Sequence, residues 1–125
     1  GQVEITFHSE KEVLNSKLNA SLFGWVVENI VKNAVDAMEG KVTINVKLLQ
    51  ERNLNILEIT DDGKGIPAAK LKTVFEPGFT TKKRGWGLGL SLAKRIIEEH
   101  HKGKIFVKSS EVNVGTTFRI ELPVV

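Results

Sequence analysis

Two strands around a polar turn constrain this chain more than any other feature. Val42, Ile44, Val46 and Leu48 alternate with Thr43, Asn45 and Lys47, the period-two pattern of a half-buried strand. Gln50 to Asn53 can turn the chain, and Leu54–Thr60 reads as the returning strand. So short a connection makes the pair antiparallel. Three further strands follow from Val3, Ile5 and Phe7, from Ile105–Ser109, and from Thr116–Leu122, where Phe118, Ile120 and Leu122 alternate with Arg119 and Glu121. Ser21 as N-cap predicts a helix to about Met38, with Phe23, Val27, Ile30, Val31, Ala34 and Met38 as its core stripe and Gly40 as its stop. Pro67 suits the first turn of a short helix to about Phe75. Leu88, Leu90, Leu92, Ala93, Ile96 and Ile97 predict a second long helix, stopped near Gly103. Tightly joined strands mixed with helices favour a two-layer α/β sandwich over a doubly wound parallel sheet. The expected form is a mixed sheet of about five strands covered on one face by about three helices.

A core of that size fits the composition. The chain has 125 residues, 41% of them hydrophobic, which suits one domain over residues 1–125. No apolar run approaches the roughly 18 residues of a membrane span. No basic-apolar-small leader opens the chain, and Gly1 reads as the edge of a fragment. Absence of cysteine excludes disulfides, thiol catalysis and cysteine-held metals. The net charge is only +3 and Lys82-Lys83-Arg84 is the one basic run, so no nucleic-acid partner is expected.

Four segments carry candidate chemistry. On the first helix, Asn29, Asn33 and Asp36 share a face at roughly 100° per residue. Carboxamide oxygens suit a hard cation such as Mg²⁺; the bland alternative is a solvated polar face. Asp61-Asp62-Gly63-Lys64-Gly65 follows a strand. Asp61 continues the face of Leu57 and Ile59, so its carboxylate points to the covered side and needs a donor, which an adenine amine can supply. An ordinary Asp-Gly turn is the alternative. Gly85-Trp86-Gly87-Leu88-Gly89-Leu90-Ser91 leads into a helix, where free backbone amides attract phosphate. Its spacing fits neither the dinucleotide fingerprint nor a P-loop, and a flexible linker is the alternative. Gly115-Thr116-Thr117 opens the last strand and taken alone is mostly a turn.

In their order these segments resemble the N (Asn29–Ala37), G1 (Asp61–Gly65), G2 (Gly85–Gly89) and G3 (Gly115–Thr116) boxes of the GHKL superfamily, named for gyrase, a heat-shock chaperone, histidine kinases and a mismatch-repair ATPase. Phe75-Glu76-Pro77-Gly78-Phe79 resembles its F box. The resemblance covers nearly the whole chain. Phe75–Lys82 followed by Gly-x-Gly-Leu-Gly-Leu-Ser is most similar to the catalytic, ATP-binding domain of a two-component sensor histidine kinase, nearest the nitrogen-regulation and sporulation type.

The resemblance implies a Bergerat-type sandwich that uses Mg-ATP to phosphorylate a histidine on a separate helical dimerisation domain. The phosphate would then pass to a response regulator. It implies that Asn33 ligates Mg²⁺ and that Asn29 contacts the metal, its waters or the phosphates. Asp61 would bind the adenine amine, with Gly63 and Gly65 making room and Thr116, with Thr117 beside it, assisting. Glu76 to Gly87 would be the ATP lid, ordered by the phosphate chain, with Lys82 reaching the terminal phosphates. Gly87, Leu88 and Gly89 would present backbone amides. Asp36, Ile66, Phe75, Thr80, Thr81, Gly85 and Leu90 complete the implied nucleotide set of ATP or ADP. The implied setting is cytoplasmic, with this fragment monomeric, free of membrane contact, and part of a homodimeric whole.

Three departures matter. Relatives that hydrolyse ATP often carry Glu one turn before the magnesium asparagine; here Asn29 holds that place, and Glu28 lies about 140° around the helix from Asn33. Slow hydrolysis is therefore expected. His8, His100 and His101 read as structural or solvated, not as phosphoacceptors. Trp86 stands between lid glycines where the family carries a smaller residue. An anti-sigma-type serine kinase and a nucleotide-sensing module without phosphoryl transfer are the alternative functions.

Overall fold

The computed structural model describes residues 3–9, 19–36, 41–76 and 89–124. Five strands, β1 (Val3–Ser9), β2 (Val42–Glu51), β3 (Leu54–Asp61), β4 (Lys104–Glu111) and β5 (Gly115–Pro123), form one sheet in the order β1-β2-β3-β5-β4. Only β1 and β2 run parallel, joined across α1 (Ala20–Asp36); every other pairing is antiparallel. The mixed five-stranded sheet is thus as the alternation predicts. The β2–β3 turn is tight because Arg52 takes a left-handed φ of 54°.

One face of the sheet packs on α1 and α2 (Gly89–Arg95). Val42, Ile44, Leu57, Ile59, Phe118 and Ile120 from the strands meet Val26, Ile30, Ala34, Ala93 and Ile97 from the helices. Each such side chain contributes roughly 1.5–3 kcal/mol on burial. The stripe on α1 is centred one residue from the expected line: Val26 is fully buried, while Phe23, Val27 and Val31 are only partly so. On the opposite face Arg119 binds three carboxylates, Glu121 at 2.9 Å, Glu51 at 3.2 Å and the buried Glu58 at 3.3 Å, and Lys108 reaches Glu58 at 2.9 Å.

Element ends differ from the sequence reading for local reasons. Asn19, not Ser21, caps α1: its side-chain oxygen accepts the Leu22 N–H at 3.1 Å and its carbonyl accepts the Phe23 N–H at 2.9 Å. Asparagine caps as well as serine, and the earlier residue wins. The expected end of this helix, Met38 and Gly40, lies outside the described residues. The helix after Pro67 is a 3₁₀ turn over Ala68–Lys70. Three-residue bonds continue it, Thr73 N–H to Lys70 and Glu76 N–H to Thr73. Beyond Lys70 the chain continues as turns to Glu76, so no full α-helix forms there. The second helix passes from α2 into a π turn at Ile96–His100. There Lys102, with φ 55°, is the left-handed residue, and the Gly103 N–H closes on the Ile97 carbonyl at 3.0 Å. Gly103 is needed for a different reason. A β-carbon on it would stand 2.3 Å from the Glu121 carbonyl oxygen.

Candidate nucleotide site

The end of β3, the start of β5 and the end of β4 lie at one edge of the sheet, and they carry the polar residues singled out above. In register, Asp61 stands opposite Ile44 on one side and Thr116 on the other, and Thr116 stands opposite Ser110. Strand periodicity turns Asp61 and the buried Thr116 to the helix-covered face, with Leu57 and Phe118.

Backbone donors hold Asp61 in place. Its Oδ1 accepts the Gly63 N–H at 2.9 Å, and the Thr116 N–H also serves it. Burial raises its pKa above the ordinary 3.8, opposed by those two hydrogen bonds and assisted by the neighbouring Asp62. A half-buried carboxylate that retains acceptor capacity suits a ligand amine. Asp62 is turned away and exposed, accepting the Thr43 N–H at 2.7 Å.

Two glycines make this packing feasible. Gly65 has φ 73°, and a β-carbon there would lie 2.2 Å from the Glu111 carbonyl oxygen. Gly115 has φ 146°, and its β-carbon would lie 2.0 Å from the carbonyl oxygen of Asp61. Backbone crosses backbone at both points, so no side chain fits. The Asn113 N–H to Lys64 carbonyl bond, 2.8 Å, ties the β4–β5 turn to the same loop. Gly63, the third glycine, is buried.

The first helix sets its polar face against the start of α2. Asn29 donates from Nδ2 to the Trp25 carbonyl at 3.0 Å, which leaves Oδ1 directed at Gly89, the first residue of α2. Asn33 follows one turn later and is half-buried. Asp36 is the last residue of α1, and its side chain lies outside the description. Glu28 is exposed. Ile66, Phe75 and Leu90 pack partly buried against the core. Phe75 meets Phe118 edge to face at 6.1 Å, and Lys94 lies 5.9 Å above its ring. Phe75 is therefore anchored on the body of the domain. Thr80, Thr81, Lys82, Gly85, Gly87 and Leu88 fall outside the described residues.

A polar cavity of about 480 Å³ opens at this same edge, lined by Thr43, Asn45, Thr60, Ser109 and Thr117 among others. No residue of α1 or α2 lines it, and the Thr60 and Thr117 hydroxyls bond each other at 2.9 Å. Asp61, Ser110, Gly115 and Thr116 also line it, so the cavity adjoins the residues of the proposed adenine end. Among the described residues no cluster of three or more His, Asp or Glu side chains suits a metal. No described helix is long and apolar enough to cross a membrane. The sequence reading missed Ser110, whose hydroxyl contacts Ile66, Gly115 and Thr116. Only the strand register reveals it.

Comparison with known proteins shows the family. The family described as histidine kinase-, DNA gyrase B- and HSP90-like ATPase matches residues 19–125. Sporulation kinase E of Bacillus subtilis is 44% identical over 98 residues, covering 77% of this chain and 13% of that protein. The signal transduction histidine-protein kinase AtoS of Escherichia coli is 38% identical over 98% of this chain and 20% of its own length. The chain thus spans a small part of these relatives. The catalytic domain of histidine kinase ThkA superposes with a TM-score of 0.85 at 31% identity, over 98% of this chain and 79% of that one.

Proposed function

Because this chain belongs to the histidine kinase-, DNA gyrase B- and HSP90-like ATPase family, among the sensor histidine kinases, we propose that it binds Mg-ATP between Asp61 and Asn29 and donates the γ-phosphate to a histidine on a separate helical dimerisation domain. A response regulator then receives the phosphate. The observation that supports this reading is the grouping of residues 61–66, 110 and 115–116 at one end of the sheet, with Asn29 set against Gly89 where the two helices touch.

In this reading Asp61 accepts the adenine amine. Gly63 and Gly65 shape the wall beside it, and Ile66 and Leu90 supply apolar contact. Asn33 ligates Mg²⁺, and Asn29 Oδ1 faces the phosphates or the metal's waters at the start of α2. This donor set fits Mg²⁺, which takes few protein ligands and keeps waters and phosphate oxygens. When bound, the ion neutralises charge developing on the phosphates. Lys82 complements the terminal phosphates, with Thr80, Thr81, Gly85, Gly87, Leu88 and Gly89 around them. Asn29 has no basic group to activate water, and Glu28 is exposed, so hydrolysis is slow. The proposed setting is cytoplasmic, with this fragment a monomer and the whole kinase a homodimer.

The test mixes the chain with labelled ATP and candidate helical-hairpin domains and looks for acid-labile phosphate. Acid-stable phosphate on serine supports an anti-sigma-type kinase instead. Nucleotide exchange with no transfer to any acceptor supports a sensing module.

A further inference from the structure

Ser110 has no role in the reading above, yet three segments of the adenine end meet at its hydroxyl. Its Oγ accepts the Ile66 N–H at 2.7 Å, lies 2.8 Å from Thr116 Oγ1, and reaches the Gly115 carbonyl oxygen at 3.3 Å. A serine hydroxyl offers one proton and two lone pairs. Ile66 N–H can only donate, so it takes one lone pair. The Gly115 carbonyl can only accept, so it takes the proton. The remaining lone pair faces Thr116, whose own proton must fill it. This is the assignment that satisfies all three contacts, and it leaves Thr116 Oγ1 with lone pairs alone to offer a ligand.

Thr116 is 5% exposed and stands directly opposite Asp61 in the strand register. Resting on the adenine site proposed above, the geometry points to Ser110 as a positioning residue for base selectivity: it holds the Thr116 hydroxyl as an acceptor beside the Asp61 carboxylate. Two acceptors then face position 6 of the purine. A 6-amino purine presents donors there and is matched. A 6-oxo purine presents an acceptor and is rejected, since like groups facing one another leave both unpaired. Without Ser110 the Thr116 hydroxyl is free to rotate and donate, and the rejection weakens.

The experiment measures ADP and inosine diphosphate affinity by calorimetry on the 125-residue chain. Ser110→Ala is expected to lower the ADP-to-IDP affinity ratio by about tenfold, the worth of one hydrogen bond. Ser110→Thr keeps a hydroxyl and is expected to restore the ratio. Equal loss for both nucleotides marks a plain structural brace and overturns the inference. Thr116→Val is expected to lower the ratio similarly, and in that background Ser110→Ala should change it no further. Additive effects overturn the coupling. Should Ser110→Ala fail to fold, Thr116→Val alone decides, because an unchanged ratio there removes the acceptor from the argument. Asp61→Asn separates the two levels. If it leaves ADP binding intact, the adenine site itself is wrong; if it abolishes binding while Ser110→Ala leaves the ratio unchanged, only the role of Ser110 falls.

Discussion

The side-chain oxygen of Asn29 stands 3.0 Å from the point where Gly89 would carry a β-carbon. The helix bearing the two asparagines and the helix that starts at the glycine-rich segment therefore touch at the residues assigned to the phosphates. Asn29 has little room to retreat, because its amide nitrogen is bonded to the Trp25 carbonyl at 3.0 Å. Gly89→Ala should displace the carboxamide by a few tenths of an ångström. Gly89 is the first residue of α2, where alanine gains only part of the ~1 kcal/mol advantage it has over glycine inside a helix. The expected outcome is unchanged or slightly raised thermal stability, with Mg-ADP affinity lowered about tenfold, a loss of ~1.4 kcal/mol. Parallel melting and calorimetry check it; equal affinity in the variant would detach Asn29 from the phosphate site.

Nucleotide binding should depend on pH through Asp61. Burial raises its pKa above 3.8, and the adenine amine needs the ionised form as acceptor. As pH falls, ADP affinity should decline while ordinary exposed carboxylates are still charged. The sign for stability is opposite. A carboxyl with a raised folded pKa binds protons more tightly in the native state, so the empty chain loses stability as pH rises through the window from 3.8 up to the folded value. ADP titrations on wild type and Asp61→Asn at several pH values isolate the effect, because the phosphate's own titration is common to both. Asp61→Asn should weaken ADP binding at neutral pH by roughly 1–3 kcal/mol. Parallel pH profiles for the two proteins would reject Asp61 as the group responsible.

Gly115→Ala should be far more damaging than its exposure suggests. The residue has φ 146°, and an added β-carbon would sit 2.0 Å from the backbone oxygen of Asp61. The strand pairing that aligns Asp61 with Thr116 must shift to relieve it. A loss of about 2 kcal/mol or more is expected, from strain of about 1–3 kcal/mol plus the clash, with ADP affinity falling as well. Urea denaturation measures the first and calorimetry the second. By contrast Gly24 has nothing within 4 Å of an added β-carbon, so Gly24→Ala should be tolerated.

Much of this arrangement was legible in the chain. Alternation marked β1, β2 and β5, the polar turn marked β3, and the parity of Leu57, Ile59 and Asp61 placed the carboxylate on the covered face. What stayed hidden depended on partners distant in sequence. Ser110 lies one residue beyond the expected strand Ile105–Ser109, and only the register sets it beside Thr116. Phe23 and Val27 offer a stripe of equal period beside Val26, and packing on the sheet chooses Val26. Ser21 suits a cap by residue type, but Asn19 suits one equally, and only the folded chain shows which bonds the helix start. Gly103 was legible as a helix stop but not as the closest approach of that corner to β5.

His101 reads from sequence as structural or solvated, and the structure makes it a buried link between the two helices. It is 5% exposed. Its Nε2 accepts the Asn19 N–H at 3.0 Å and its Nδ1 meets the Ile96 carbonyl at 3.0 Å, while the ring packs edge-on to Phe23 at 5.8 Å. An amide donor on one nitrogen and a carbonyl on the other require the proton on Nδ1. The ring thus ties the capping residue of α1 to the last turn of the helix that begins at Gly89. His101→Ala leaves a cavity and strands the Asn19 N–H and the Ile96 carbonyl, so a loss of about 2–4 kcal/mol is expected. His101→Leu fills the space but not the hydrogen bonds, and should recover only part of that loss. Both are measured by urea denaturation. Full recovery by leucine would show that His101 acts by volume alone and that the link between the helices carries no polar contribution.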